Sequence, residues 1–312
     1  MVENSFIREI RKNWALFALL LPAFVIVLVN NYIPMLGSFI AFKDIRYTKP
    51  GFIQNMIASP WVGFKNFEFL FNSNSAFIIT RNTILYNVLF MVLGTVLAVL
   101  LAILLNEVTG KRKAKVYQNI TFIPYFISYV AVAYLVYAFL SFNYGLVNQG
   151  LLKALGIAEI DWYSSKEYWP LILTIVVMWK WTGYNAVVYL AGISGINSEY
   201  FEAAQIDGAS KMKQIRYITL PSLAPFIIIM NLLALGRIFY SDFGLFFQTT
   251  MNIGALYDTT LVIDTYVYNS LAITGELGMA SAAGFYQAIV GLALVLMSNF
   301  VVKKLDRDSA LF

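Results

Sequence analysis

The stretch Glu199-Tyr200-Phe201-Glu202-Ala203-Ala204-Gln205-Ile206-Asp207-Gly208-Ala209-Ser210-Lys211, followed by Met212 through Leu220 and then Pro221, is polar and broken by one turn signal. It reads as two short helical pieces around Asp207-Gly208, because glycine enters the left-handed backbone region without a steric penalty. Ser198 can cap the first piece. Glu199 and Glu202 then lie near its N-terminus, where the helix dipole favours negative charge. Ala203 and Ala204 keep one side slim, so that another surface can approach the backbone. Lys211, Lys213 and Arg216 suit a membrane surface, and Pro221 suits the first turn of a following helix. This loop, residues 198–221, lies between two long apolar stretches, and that setting decides the fold class.

Working outward, six stretches are long and apolar enough to cross a bilayer core, which needs about 20 such residues per helix. They cover residues 14–37, 83–105, 117–140, 169–192, 221–241 and 279–302. The chain has 312 residues, of which 60% are hydrophobic and only 12% charged. A soluble domain carries about 25% charge, so the expected class is an all-α polytopic membrane protein. No segment outside the spans is large enough to be a domain, so residues 1–312 read as one membrane domain with loops. The first stretch follows a short basic segment but exceeds a signal-peptide core, and no small-residue cleavage site follows, so it reads as a retained helix.

The sequence contains neither histidine nor cysteine. This excludes histidine bases, thiolate nucleophiles, disulfides and zinc held by those residues. The net charge of +5 is modest and reads as loop topology, not as a nucleic-acid surface. Thirteen of the 22 basic residues lie in residues 1–13, 106–118, 193–220 and 303–312. The positive-inside rule therefore places both termini and the 198–221 loop in the cytoplasm. The run Lys111-Arg112-Lys113-Ala114-Lys115 reads as an anchor at the inner headgroups. Trp14, Tyr117, Trp162, Tyr168 and Trp169 read as interfacial belt residues.

The pattern Glu202-Ala203-Ala204, Gly208, Ile218, Leu220, Pro221 resembles the EAA loop of permease subunits in binding-protein-dependent ABC importers. Pro34 through Asp44 is similar to the first-span exit of carbohydrate-type permeases of the maltose type. Asp242 through Gln248 and Gly254 through Tyr257 are similar to a subgroup that handles complex oligosaccharides. The chain differs from many sugar permeases in lacking a T-x-G-G-P-type segment after the fifth span. The resemblance implies a type I ABC importer permease fold in a bacterial plasma membrane. It also implies a coupling role for Glu202, Ala203, Ala204, Gly208, Ile218, Leu220 and Pro221, seated in a groove of a cytoplasmic ATPase dimer. The implied partners are a second, paralogous permease subunit, an extracellular or periplasmic solute-binding protein and an oligosaccharide. ATP and Mg would belong to the ATPase: Gly110-Lys111 is this chain's only Gly-Lys pair, and it lacks the rest of a P-loop. No cofactor is expected in this chain.

Charges inside spans are costly and usually face a bundle interior or a cavity. Lys180, Tyr184, Trp181 and Asn185 fall at 0°, 40°, 100° and 140° around the fourth span, with Thr174 at 120°, at about 100° per residue. Such a face suits a sugar path, or interhelical polar packing. In the fifth span, Arg237 and Tyr240 are further path candidates; Arg237 can also snorkel or pair with Asp242. Two intramembrane cations suggest an acidic oligosaccharide whose uronates meet Lys180 or Arg237. Gln287, beside Tyr286 in the sixth span, is a path or core-packing candidate. The segment 242–278 has four acidic and no basic residues and can fold onto the outer face to receive a binding protein. The alternatives are an ion-gradient-driven secondary transporter, which would want mid-span carboxylates and inverted repeats, and an intramembrane protease, which would want paired aspartates.

Overall fold

The structure, a computed structural model, describes residue 9 and residues 11–305. The basic residues Arg8 and Arg307, used above for topology, lie outside them. Eight helices carry the architecture. They are α1 (Trp14–Phe42), α2 (Asn74–Asn106), α3 (Lys111–Phe122), α4 (Tyr129–Leu140), α5 (Trp169–Ser194), α6 (Ser198–Ile206), α7 (Lys211–Leu235) and α8 (Leu277–Leu305). Short helical turns fill the connections, and the described residues contain one isolated antiparallel bridge, Lys43 to Trp61. Helices α1, α2, α5, α7 and α8 are each long and apolar enough to span a membrane, and the bent pair α3–α4 brings the number to six.

Three spans differ from their sequence readings. Helix α2 begins at Asn74, nine residues before the predicted start. Its polar first turns are satisfied by the segment ahead of α8. The Arg81 guanidinium donates to the Asp258 carbonyl at 2.5 Å, Asn82 to the Leu261 carbonyl at 3.0 Å, and the Tyr86 hydroxyl to the Thr259 carbonyl at 2.7 Å. The segment 242–278 thus folds back over the start of α2, and Lys166 pairs with Asp258 from the start of α5. The Lys166 ammonium holds the Asp258 carboxyl below its ordinary value. The third span is not one helix: Arg112–Phe126 and Tyr129–Leu140 meet at 96°. Pro124 lacks the N–H needed to continue the ladder, and the Ser128 hydroxyl accepts the Ala131 N–H at 3.3 Å to start α4 afresh. The fifth span begins at Lys211, and its regular α-helical part begins at Leu220 with Pro221 in the first turn, as expected. A widened turn at Ile215–Thr219 accommodates the proline. The same helix ends at Leu235, six residues short of the predicted limit, so Arg237, Tyr240 and Asp242 lie past its end.

The core has three parts. Tyr86, Leu173, Trp169, Leu245 and Phe246 pack where α2 and α5 meet the 242–278 segment. Ile79, Phe239, Ala282 and Ala283 join α2, α8 and the exit of α7. Ala98, Ala102 and Ala186 let α2 and α5 approach closely, as small residues do in membrane bundles, and Leu223 of α7 packs into the same cluster. Trp169 is fully buried, donating to the Trp162 carbonyl at 2.7 Å, and Trp162 donates to Asn148 at 2.9 Å. Both indoles are packed into or against the protein core rather than standing in an interfacial belt.

Candidate functional site

The polar loop folds as two helices around Gly208. The cap of α6 is Asn197, not Ser198: its Oδ1 accepts the Glu199 N–H at 3.0 Å. At the other end Gly208 has φ +74°. The Gly208 N–H reaches the Gln205 carbonyl at 3.0 Å and the Ala209 N–H the Ala204 carbonyl at 2.8 Å, the paired closure that a left-handed residue makes at a helix end. Gln214, buried on α7, donates to the Ala209 carbonyl at 3.0 Å and fastens the turn to the span. Lys211 pairs with Glu107 at 3.2 Å, tying the loop to the end of α2. No residue of α6 is buried, and Ile206 is 87% exposed. Glu202 and Ala203 are exposed and Ala204 is half-buried, so the surface of α6 is open. Ile218, Leu220 and Pro221 lie on α7, half-buried or exposed.

A cavity of about 350 Å³ opens between α2, α5 and the exit of α7. Trp181, Asn185, Arg237 and Tyr240 line it, as do Asn87, Tyr129 and Asp242. The Tyr129 hydroxyl accepts the Trp181 indole N–H at 3.1 Å. Asn87 donates to the Ile238 and Tyr240 carbonyls at 2.9 and 3.2 Å, holding the chain past α7 in place. Asp242 accepts the Leu245 N–H at 3.3 Å. Among the described residues Arg237 forms no ion pair, so the predicted pairing with Asp242 is not made. A second recess of about 130 Å³ shares Asn185 and Gly94 with this cavity and continues it to Thr95 and Asn231, which are 3.1 Å apart.

The remaining candidates lie elsewhere. Lys180 is 5% exposed, and its ammonium donates to the carbonyls of Pro124 (3.3 Å), Tyr125 (2.8 Å) and Ile127 at the break between α3 and α4. Tyr184 stacks on Tyr125 with centroids 4.3 Å apart. Gln287 is buried and donates to the Phe239 carbonyl at 2.9 Å and to Asp264 at 3.3 Å, while Asp264 accepts the Ser241 N–H at 2.7 Å. Thr174 turns back to the Pro170 carbonyl at 2.6 Å. The polar face of the fourth span is therefore divided: Lys180 and Tyr184 meet the broken helix, Trp181 and Asn185 line the cavity, and Thr174 bonds back to its own helix. Asn87 was the signal available in the sequence and passed over, an amide inside an apolar run. Tyr129 had none, because only the helix break turns it inward.

Residues 94–308 match the binding-protein-dependent transport system inner membrane component family. The chain belongs to this family. It is a membrane permease subunit of an ATP-driven ABC importer that works with a solute-binding protein, and this sets aside the ion-gradient alternative. Among curated relatives, it is 30% identical over 94% of its length, and 89% of the relative's, to the polygalacturonan/rhamnogalacturonan transport system permease protein YteP of Bacillus subtilis (strain 168). Among solved structures, a bacterial ABC transporter involved in the import of the acidic polysaccharide alginate superposes with TM-score 0.86 at 33% identity, over 96% of this chain and 99% of that one. The bacterial alginate ABC transporter in complex with alginate pentasaccharide-bound periplasmic protein gives TM-score 0.84 at 33% identity, over 96% and 97% of the two chains.

Proposed function

We propose that this chain forms half of the import path for an acidic oligosaccharide, with α6 seated in a separate ATPase subunit. The observation that carries the reading is the unpaired Arg237 in a cavity with Trp181, Tyr240 and Asn185. A guanidinium meets a uronate carboxylate with paired hydrogen bonds. Aromatic faces suit the C–H faces of sugar rings, and Asn185, Asn87 and Asp242 suit hydroxyls. Relatives named for polygalacturonan and alginate, both uronate polymers, support the same substrate class. ATP and Mg bind the ATPase dimer; a second permease subunit completes the path; both termini and α6 face the cytoplasm. The segment 242–278 helps receive the binding protein on the opposite side.

The test is uptake by the complex reconstituted with its ATPase and binding protein. Uronate-bearing and neutral oligosaccharides of equal length are compared in wild type and Arg237→Gln. A hydrogen bond to a charged group is worth about 1.5–3 kcal/mol, so the variant should slow uronate uptake roughly tenfold or more and leave any neutral uptake unchanged. Unchanged uronate uptake overturns the substrate assignment.

A further inference from the structure

Helix α3 grades from charge to apolarity along one face. Lys113, Tyr117 and Ile120 follow at i, i+4 and i+7, so they stack within a narrow strip, and all three are exposed. Arg112, also exposed, lies at the same level but about 100° around the helix, within reach of the strip only through its long side chain; among the described residues neither forms an ion pair. The strip descends roughly 10 Å from Lys113 to Ile120 at 1.5 Å per residue. At Ile120 it enters a cleft of about 530 Å³ between α2, α3 and α5, walled by Leu97, Leu101, Leu104, Met178 and Trp179. Cation, then phenol, then aliphatic cleft is the order of a phospholipid's own parts: phosphate, ester level, acyl chain. The charge decides the lipid class, because basic side chains favour anionic headgroups over zwitterionic ones.

We infer that this cleft is a binding site for an anionic phospholipid of the cytoplasmic leaflet. Its phosphate sits on Arg112 and Lys113, its ester level lies beside Tyr117, and one acyl chain lies in the cleft. The site rests on the proposed orientation, which puts the start of α3 at the cytoplasmic face, but not on the substrate. A chain in this cleft bears on α5 beside Gly183, where α3 and α5 are in tight contact: a β-carbon on Gly183 would stand 1.9 Å from the Thr121 carbonyl oxygen. The lipid thus packs against the contact between α5 and the first part of the broken span.

The experiment uses the full complex in nanodiscs of equal dioleoyl-phosphatidylglycerol and dioleoyl-phosphatidylcholine, with retained lipid counted by native mass spectrometry after extraction. Wild type should retain phosphatidylglycerol over phosphatidylcholine by roughly 10- to 30-fold, the range two surface cations supply. Arg112→Gln with Lys113→Gln should lose that preference. Leu104→Trp, which narrows the cleft, should reduce retention of both lipids. Lys303→Gln with Lys304→Gln, at the end of α8, should behave as wild type. Because this chain has no cysteine, Ile120→Cys gives it a single photo-crosslinker site, at the cleft, which is introduced into complex whose other subunits are cysteine-free, and it should capture lipid. Equal retention of phosphatidylglycerol by wild type and the Arg112/Lys113 variant, or crosslinking to another subunit instead of lipid, overturns the site. ATP-driven uptake measured on the same preparations reports the transport reading separately.

Discussion

Gly208 and Gly183 are both glycines that a substitution would damage, for opposite reasons. At Gly208 a β-carbon would meet nothing within 4 Å, so the cost is in the backbone, held at φ +74°. A branched L-residue there costs about 1–2 kcal/mol, and asparagine less. Gly208→Val should therefore cut stimulation of ATPase activity by loaded binding protein, and Gly208→Asn should cut it less, in complex that still purifies intact. Glu202 is exposed, so Glu202→Ala should leave thermal stability within about 0.5 kcal/mol while lowering the same stimulation; full stimulation in both Glu202→Ala and Gly208→Val would sink the coupling role of this loop. At Gly183 the cost is steric, since even alanine collides with the Thr121 carbonyl. Gly183→Ala should lower the yield and thermal midpoint of the complex, whereas Gly254→Ala, where a β-carbon also meets nothing within 4 Å, should not. The Asp207-Gly208 turn was legible from dipeptide chemistry alone. The constraint on Gly183 was not, because its neighbour Thr121 is remote in sequence and is brought there by packing.

At the scale of elements, the broken third span is where sequence reading and structure part most. Residues 117–140 present a continuous apolar run, and hydropathy contains no term for a bend. Pro124 permits the break, and Lys180, from another helix, stabilises it by donating to the carbonyls the break leaves open. Lys180→Met keeps the length of the side chain but removes every donor. Each buried carbonyl left without a partner costs about 1–3 kcal/mol, so the variant should lower the thermal midpoint of the purified complex. Lys180→Met combined with Arg237→Gln should show independent effects, on stability and on uronate uptake respectively; a direct loss of uronate selectivity in Lys180→Met alone would return Lys180 to the substrate path. The fifth span ends at Leu235 for a related reason. The apolar count runs on to residue 241, but the amide of Asn87 captures the Ile238 and Tyr240 carbonyls in place of the helix ladder. That exit turns Arg237 and Tyr240 toward the cavity.

For the whole molecule, a permease driven by a partner ATPase should accumulate oligosaccharide in proteoliposomes only with ATP inside, and a protonophore should not change the rate. Uptake that collapses with the proton gradient would contradict this energy source. Composition and span length alone determined the class, since a chain with so little charge cannot cover itself in water, and six apolar runs leave few other folds. Local chemistry determined the fold of the 198–221 loop, whose turn, caps and exposed face involve residues close in sequence. Tertiary structure decided which intramembrane polar groups share a cavity. Lys180 and Trp181 are neighbours in the chain, yet one caps a broken helix and the other walls the cavity. The helical period gives the angle between two side chains on one helix, but what stands opposite each angle depends on packing against segments remote in sequence, such as Pro124, 56 residues from Lys180, and no local pattern records it.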